Sequence, residues 1–164
     1  MTHNNDIAYD GCACVASTIG NLITGELPEI NNLKTVVQTQ EFKSKLDEVE
    51  RCLRNSYTTS RAKETIGISS VAHETVCIAL FVFLSSASDF AVSVLAGANA
   101  VLKGKKGDTD SIACLVGAMS GAYNGIGSIP QKWANKIENG MRLTSIAQRL
   151  FETQNSYHNQ APGI

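Results

Sequence analysis

The pattern of apolar and polar positions along the chain predicts an all-α protein. Apolar residues recur mostly at three- to five-residue steps, and no segment shows the two-residue alternation typical of a half-buried strand. An apolar stretch from Ile7 to Ile23 predicts the first helix, which ends at Thr24-Gly25. The apolar positions from Leu33 to Tyr57, with charged residues between them, predict one long amphipathic helix.

A polar segment separates these helices from two more apolar ones. Residues Asn55 to Ser70 predict a loop with room for one helical turn near 62–65. Val71 to Leu84 predicts a mostly buried helix, and its first residues, which include His73 and Glu74, fit an exposed helix start. The Ser86-x-x-Asp89 sequence fits a capping box that opens the next helix, and that helix is predicted to end near residue 102.

The last third of the chain predicts the centre of the fold and its end. A helix from about Thr109 to Tyr123 carries small residues at four-residue spacing, which let a neighbouring helix approach closely, so this helix is expected at the centre. Pro130 suits the first turn of a further helix, and a last helix follows Asn139-Gly140. We predict an irregular all-α domain over residues 1–155 with a flexible tail at 156–164.

Composition narrows the class of protein. The chain has 164 residues, 43% of them hydrophobic and 18% charged, with a net charge of -1. This balance gives no reason to expect nucleic acid or a membrane surface as partner. The longest apolar run, Val76 to Leu84, is shorter than the roughly 20 residues that a membrane-spanning helix needs. Five cysteines without zinc-site spacing predict reduced thiols in a cytoplasmic protein.

Candidate chemistry is concentrated at Gly107-Asp108-Thr109-Asp110-Ser111, directly before an apolar helix. One interpretation is helix capping, in which Asp108 or Thr109 accepts backbone N–H bonds and Asp110 complements the helix dipole. The other is a site for a hard cation, because Asp108, Asp110 and the Ser111 hydroxyl supply oxygen ligands. Three oxygens are too few for Mg²⁺, which takes about six ligands. The sequence leaves both interpretations open.

Two consecutive segments carry a family resemblance. Residues 107–113 read Gly-Asp-Thr-Asp-Ser-Ile-Ala, and residues 116–125 read Val-Gly-Ala-Met-Ser-Gly-Ala-Tyr-Asn-Gly. Together they closely resemble the motif of the ADP-ribosylglycohydrolase family, which includes dinitrogenase reductase-activating glycohydrolases and some lens crystallins. The segment from Gly67 to Leu84 resembles the family's substrate loop and the helix after it. Thr2-His3 followed by Ile7-Ala8 resembles the start of the family's central helix.

The resemblance implies an irregular multi-helix bundle and a hydrolase with two Mg²⁺ or Mn²⁺ ions. Such enzymes remove ADP-ribose from a protein side chain or cleave a related ADP-ribosyl compound. By position, the residues implied as metal ligands are Asp108, Asp110 and Ser111, and the first two of them would be catalytic. The residues implied to contact ADP-ribose are His3, Gly67, Ile68, Ser69 and Gly107.

The chain also departs from the family pattern. Lys106 stands where the family has a second glycine, and a lysine there would attract phosphate or compete with the cation. The family's earlier half carries a Thr-Asp-Asp motif that completes the metal site, and this sequence has none, so it resembles the C-terminal half alone. We therefore expect little or no hydrolase activity from this chain by itself. A complementing N-terminal half or self-association is expected, and the alternative is a non-catalytic, crystallin-like structural or ADP-ribose-binding relative.

Overall fold

Helices form the regular structure of the protein. A computed structural model describes residues 3–102 and 107–160, with residues 154–160 described by their backbone alone. These ranges contain no β-strand, so the predicted all-α class is confirmed. The helices are α1 (Asp6–Ile23), α2 (Ile30–Val36), α3 (Gln40–Arg54), α4 (Thr59–Ile66), α5 (Ala72–Ser85), α6 (Phe90–Ala98), α7 (Thr109–Asn124), α8 (Gln131–Ala134) and α9 (Gly140–Gln160), with a 3₁₀ turn at Ile126–Ser128.

Some sequence predictions fall outside these ranges. Lys103, Lys105 and Lys106, which the sequence predicts as a solvated turn or alternatively as steering groups for an anionic ligand, lie outside the described residues. The last four residues of the predicted tail lie outside them too.

Residues 1–128 form one compact unit, and α5 lies at its centre. Nine consecutive α5 residues, from Thr75 to Phe83, are buried, and this helix contacts α1, α3, α4, α6 and α7. The expectation that α7 is the central helix is therefore wrong. The small residues of α7 instead allow a close approach of α6, where a Cβ on Gly97 would lie 3.2 Å from the Ala113 Cα.

The predicted helix from Leu33 to Tyr57 is broken into α2 and α3 by a contact with α1. Asp10 of α1 is only 3% exposed, and its carboxylate accepts the N–H groups of Gln38 and Thr39, each at 2.7 Å. The Thr39 hydroxyl donates to the same carboxylate at 2.5 Å. Val37 and Thr39 are consequently extended, and Thr39 becomes the N-cap of α3. Local periodicity carries no information about this partner 28 residues away in sequence.

Two more boundaries differ from the sequence prediction. The segment predicted as a loop at 55–70 contains α4, because Thr58 caps its start and Gly67, with φ of +100°, ends it. Asp89 alone caps α6 by accepting the Val92 N–H at 2.9 Å. Ser86 lies at the end of α5, where its hydroxyl is 2.8 Å from that of Ser93, so the predicted capping box is not formed.

Residues 129–164 form a second compact unit. Pro130 precedes α8 as its N-cap, and α9 follows Asn139, which has a positive φ of 58°. The backbone of α9 remains helical to Gln160, five residues into the segment predicted as a tail. The prediction of one domain over residues 1–155 stays a prediction.

The cysteines bear on the predicted reduced thiols, and the helix lengths bear on whether a helix could span a membrane. Three thiols, Cys14, Cys52 and Cys77, are buried, and burial raises the pKa of Cys14 to about 12. Cys12 and Cys114 are exposed. Within the described residues, no helix combines the length and the apolar character required to cross a bilayer.

Candidate functional site

The start of α7 brings the acidic cluster to the surface of the first unit. Asp108 occupies the N-cap position, but its side chain makes no capping hydrogen bond. The capping interpretation is therefore wrong for this carboxylate. The Asp108 N–H donates to the carbonyl of Ile68 at 3.0 Å, which joins the start of α7 to the loop between α4 and α5.

Asp110 lies in the first turn of α7 and is exposed. Its pKa is lowered, first by its own N–H, then by the Ser111 N–H and by a hydrogen bond with the Asp108 side chain. This carboxylate therefore complements the positive end of the helix, as the capping interpretation expected for Asp110.

A cavity of about 700 Å³ opens beside the start of α7. Among the residues that line it are His3, Asp108 and Ser111, which the sequence predicts as site residues. Ser70, the neighbour of the predicted Ser69, lines it too. Apolar side chains of α1, α5 and α7 form much of the remaining wall, with Cys12 and Thr75 beside them. Ligand sites in proteins are commonly apolar clefts with a few converging polar groups, and this cavity has that composition.

The predicted ADP-ribose-contacting residues do not meet at one cavity, because His3 lines the larger cavity and the loop residues line another. Gly67, Ile68 and Ser69 line a smaller cavity of about 350 Å³, together with Lys63 and Glu74. From the same loop, Ser70 lines the larger cavity. Asp110 and Gly107 line neither of these cavities.

The loop between α4 and α5 is held at Ser69, where both the backbone N–H and the carbonyl are hydrogen-bonded to side chains of α5. Glu74 accepts the Ser69 N–H at 2.9 Å, and the Thr75 hydroxyl donates to the Ser69 carbonyl at 2.8 Å. Burial alone would raise the pKa of Glu74, but hydrogen bonds from the Ser69 hydroxyl and N–H, with the charge of Lys45, lower it. His73 and Glu74 are partly buried, so the predicted exposed helix start is wrong.

Gly107 is explained by contacts within the protein. A Cβ at this position would lie 2.7 Å from the Ala100 carbonyl oxygen and 2.9 Å from Cδ1 of Ile68. Its predicted approach to ribose or phosphate stays a prediction, because the close backbone neighbours here are protein atoms.

Sequence reasoning missed Lys63, which is only 9% exposed. Its ammonium group donates to the carbonyls of Asn99 at 2.9 Å and Val101 at 3.4 Å, beyond the end of α6. Burial lowers its pKa. A lysine in a polar segment gives no sign in the sequence that it will be buried against backbone carbonyls. The adjacent hydroxyls of Ser69 and Ser70, in contrast, could be recognised from the sequence as polar groups of the loop.

The donor chemistry fits a hard cation, but the number of donors is small. Asp108, Asp110 and Ser111 offer two carboxylates and a hydroxyl, the oxygen ligands that Mg²⁺ and Mn²⁺ accept. Across the side chains that the structure describes, at residues 3–102 and 107–153, no three of His, Cys, Asp or Glu are grouped in a way that would hold a metal. These three residues fit one part of a metal site, and a full set of ligands needs more donors than they provide.

Comparison with known proteins agrees with the motif resemblance. An ADP-ribosylhydrolase ARH3 from Danio rerio is 46% identical over 46 residues, 28% of this chain and 12% of that protein. An ADP-ribosylarginine hydrolase Tri1 from Pseudomonas putida (strain GB-1) is 24% identical over 161 residues, 93% of this chain and 38% of that protein. The human ADP-ribosylhydrolase ARH3 is also 24% identical, over 92% of this chain and 49% of the human protein.

The chain thus spans about half or less of the length of these relatives. The family model for ADP-ribosylglycohydrolase matches residues 1–159, nearly the whole chain. This protein belongs to the ADP-ribosylglycohydrolase family.

Proposed function

We propose that the chain binds an ADP-ribosyl group in the 700 Å³ cavity and supplies one side of a two-metal hydrolytic site. The observation that carries the proposal is the convergence of His3, Ser70, Asp108 and Ser111 on one cavity. These residues come from three parts of the chain that each resemble the family motif, so the fold joins what the sequence presents separately. The names of the relatives, all ADP-ribosyl hydrolases, support the same substrate class.

Each residue would have a distinct task in this arrangement. Asp108, Asp110 and Ser111 would hold a Mg²⁺ or Mn²⁺ ion at the start of α7, and a bound ion of this kind supplies Lewis acidity. Ser70 offers a hydroxyl to a ribose or phosphate oxygen. His3 lies at the wall of the same cavity, where a ring N–H can donate to the ligand. The apolar wall from α1 and α5 would exclude water from the bound sugar.

A second candidate function is binding without hydrolysis. The donor set at α7 favours it, because two carboxylates and a hydroxyl are fewer ligands than a two-ion site requires. Both functions predict ADP-ribose in the cavity, and they differ in whether the bond to the leaving group is cleaved.

Calorimetric titration with ADP-ribose tests the shared part of the proposal. We expect binding heat in the presence of Mg²⁺ that weakens when EDTA removes the cation. Asp108→Asn should weaken binding at least about tenfold, because the variant loses the charge that attracts the ion. Asp89→Asn is the matched control. Asp89 is also an N-cap residue, and asparagine caps a helix equally well. Asp89 lines neither the 700 Å³ cavity nor the 350 Å³ cavity.

The exposed thiols provide a second readout of cavity occupancy. Cys12 lines the larger cavity, whereas Cys114 is exposed and does not line it. Bound ADP-ribose should slow alkylation of Cys12 by iodoacetamide and leave Cys114 unaffected, as measured by mass spectrometry of each site. Absence of both binding heat and Cys12 protection contradicts the proposal.

A further inference from the structure

The loop between α4 and α5 is tied to the acidic cluster through one carboxylate. Glu74 folds back from the first turn of α5 and accepts the Ser69 N–H at 2.9 Å. Its carboxylate also lies against Gly67, where a Cβ would overlap it. Gly67 has φ of +100°, a conformation that favours glycine, so the chain reverses here and brings the loop to Glu74.

The other side of the loop contacts the start of α7. The Ile68 carbonyl accepts the Asp108 N–H at 3.0 Å, and the buried Ile68 side chain packs against Gly107. The Ile68 C=O and the Ser69 N–H, which Glu74 accepts, belong to the same planar peptide group, so their orientations are coupled. Glu74 therefore fixes the orientation of the peptide that Asp108 depends on.

We propose that Glu74 is a positioning residue, which sets the 68–69 peptide and through it the backbone of Asp108 beside the ligand cavity. The expected effect on ADP-ribose affinity rests on the proposed function. The coupling of Glu74 to the Asp108 backbone rests on the hydrogen bonds alone. Glu74 itself lines the smaller cavity and not the larger one. Its effect on the ligand is therefore indirect.

Glu64 is a matched control for this proposal. It lines the same smaller cavity, so its removal changes the local charge in the same way, but it is exposed and makes no hydrogen bond to the 67–70 loop. Glu74→Ala removes the acceptor. Glu74→Asp keeps the charge but shortens the side chain by one methylene, so it no longer reaches the Ser69 N–H. Glu74→Gln keeps an oxygen acceptor at the original length.

Hydrogen exchange of the full chain tests the mechanism without any ligand. Glu74→Ala should speed exchange at the amides of Ser69 and Asp108 together, by about tenfold, the change expected for losing one charge-assisted hydrogen bond. Glu64→Ala should leave both amides unchanged, and Glu74→Gln should restore most of the protection. Unchanged exchange at Asp108 in Glu74→Ala, or equal acceleration in Glu64→Ala, overturns the proposal. If Glu74→Ala does not fold, Glu74→Asp gives the same comparison.

Titration with ADP-ribose and Mg²⁺ then tests the consequence. We expect Glu74→Ala and Glu74→Asp to weaken binding about tenfold in protein that remains folded by circular dichroism, with Glu74→Gln within about threefold of wild type. A residue with only a structural role would lower the melting temperature and leave the affinity of the folded protein unchanged, which also overturns the proposal. If wild-type protein binds no ADP-ribose, the proposed function fails, and the exchange experiment still decides the role of Glu74.

Discussion

Two aspartates show how the same residue type takes opposite roles in this protein. Asp10 is buried, and three donors from Gln38 and Thr39 occupy its carboxylate. Asp108 occupies the position where a capping bond is expected, and its carboxylate makes none. The Asp10 carboxylate serves the fold, whereas the Asp108 carboxylate, which caps no helix N–H and is hydrogen-bonded to Asp110, lies at a cavity where it can meet a ligand.

Replacement of Asp10 by alanine should destabilise the protein. It removes the acceptor of the partly buried Gln38 and Thr39 N–H groups, so we expect the free energy of unfolding to fall by about 1–3 kcal/mol. Urea unfolding at neutral pH measures the change. Asp6→Asn, at an exposed position in the first turn of the same helix, is the control and should change stability by no more than about 0.5 kcal/mol. Equal effects of the two substitutions would contradict the assigned role.

The same carboxylate makes stability depend on pH. Burial alone would raise the pKa of Asp10, but hydrogen bonds from Thr39 and Gln38 outweigh it and lower the pKa. A group with a lower pKa when folded stabilises the protein fully above its unfolded pKa, about 4, and loses that effect as pH falls through the folded pKa. The unfolding free energy should therefore drop below about pH 4. Asp10→Asn should flatten this decrease, and parallel curves for the two proteins would exclude Asp10 as its source.

At the scale of elements, Gly107 allows the start of α7 to lie close to the loop between α4 and α5. Gly107→Ala would place a Cβ against the Ala100 carbonyl and Ile68, so we expect a loss of about 1–3 kcal/mol in unfolding free energy. It should also speed hydrogen exchange at the Asp108 amide, because the bond to Ile68 is displaced. Gly20→Ala is the control. Nothing lies within 4 Å of a Cβ there, and alanine within α1 should stabilise by about 0.5–1 kcal/mol.

The elements that the sequence predicted well are those whose signals are local. The bounds of α1, α5 and α7 agree with the prediction to within about a residue or two, because each combines an apolar run with a recognisable end. The break between α2 and α3 was missed because Asp10, which causes it, belongs to another helix. Helix α4 was predicted only as a loop with room for one helical turn near 62–65, because its start and end signals, Thr58 and Gly67, lie in a segment too polar to suggest burial.

The candidate site was predictable to a similar degree. The motif placed Asp108 and Ser111 correctly at the start of a helix, and the fold brings His3 and Ser70 to the same cavity. The role of Glu74 in holding the loop was not visible, because an acidic residue in a first helical turn is explained equally well by the helix dipole. The three-dimensional contact with Ser69 is what separates the two explanations.

At the scale of the whole molecule, every described residue that lines the larger cavity lies within the first compact unit, residues 1–128. The chain corresponds to 38–49% of the relatives that it matches over most of its own length. A complete metal site needs further oxygen ligands besides those at the start of α7. Binding in the cavity and the supply of further metal ligands, both of them proposed above, can therefore be tested separately.

We expect the purified chain alone to release little or no ADP-ribose from an ADP-ribosylated arginine or serine peptide with Mg²⁺. If the proposed metal site takes its further acidic ligands from the family's N-terminal half, addition of that half of a family relative should restore release. Asp110→Ala, which removes a proposed ligand, should reduce the restored rate by about 100-fold. Sedimentation of the chain alone and of the mixture separates complementation from self-association. Brisk release by the chain alone, abolished in Asp110→Ala, would show that its own residues complete the site.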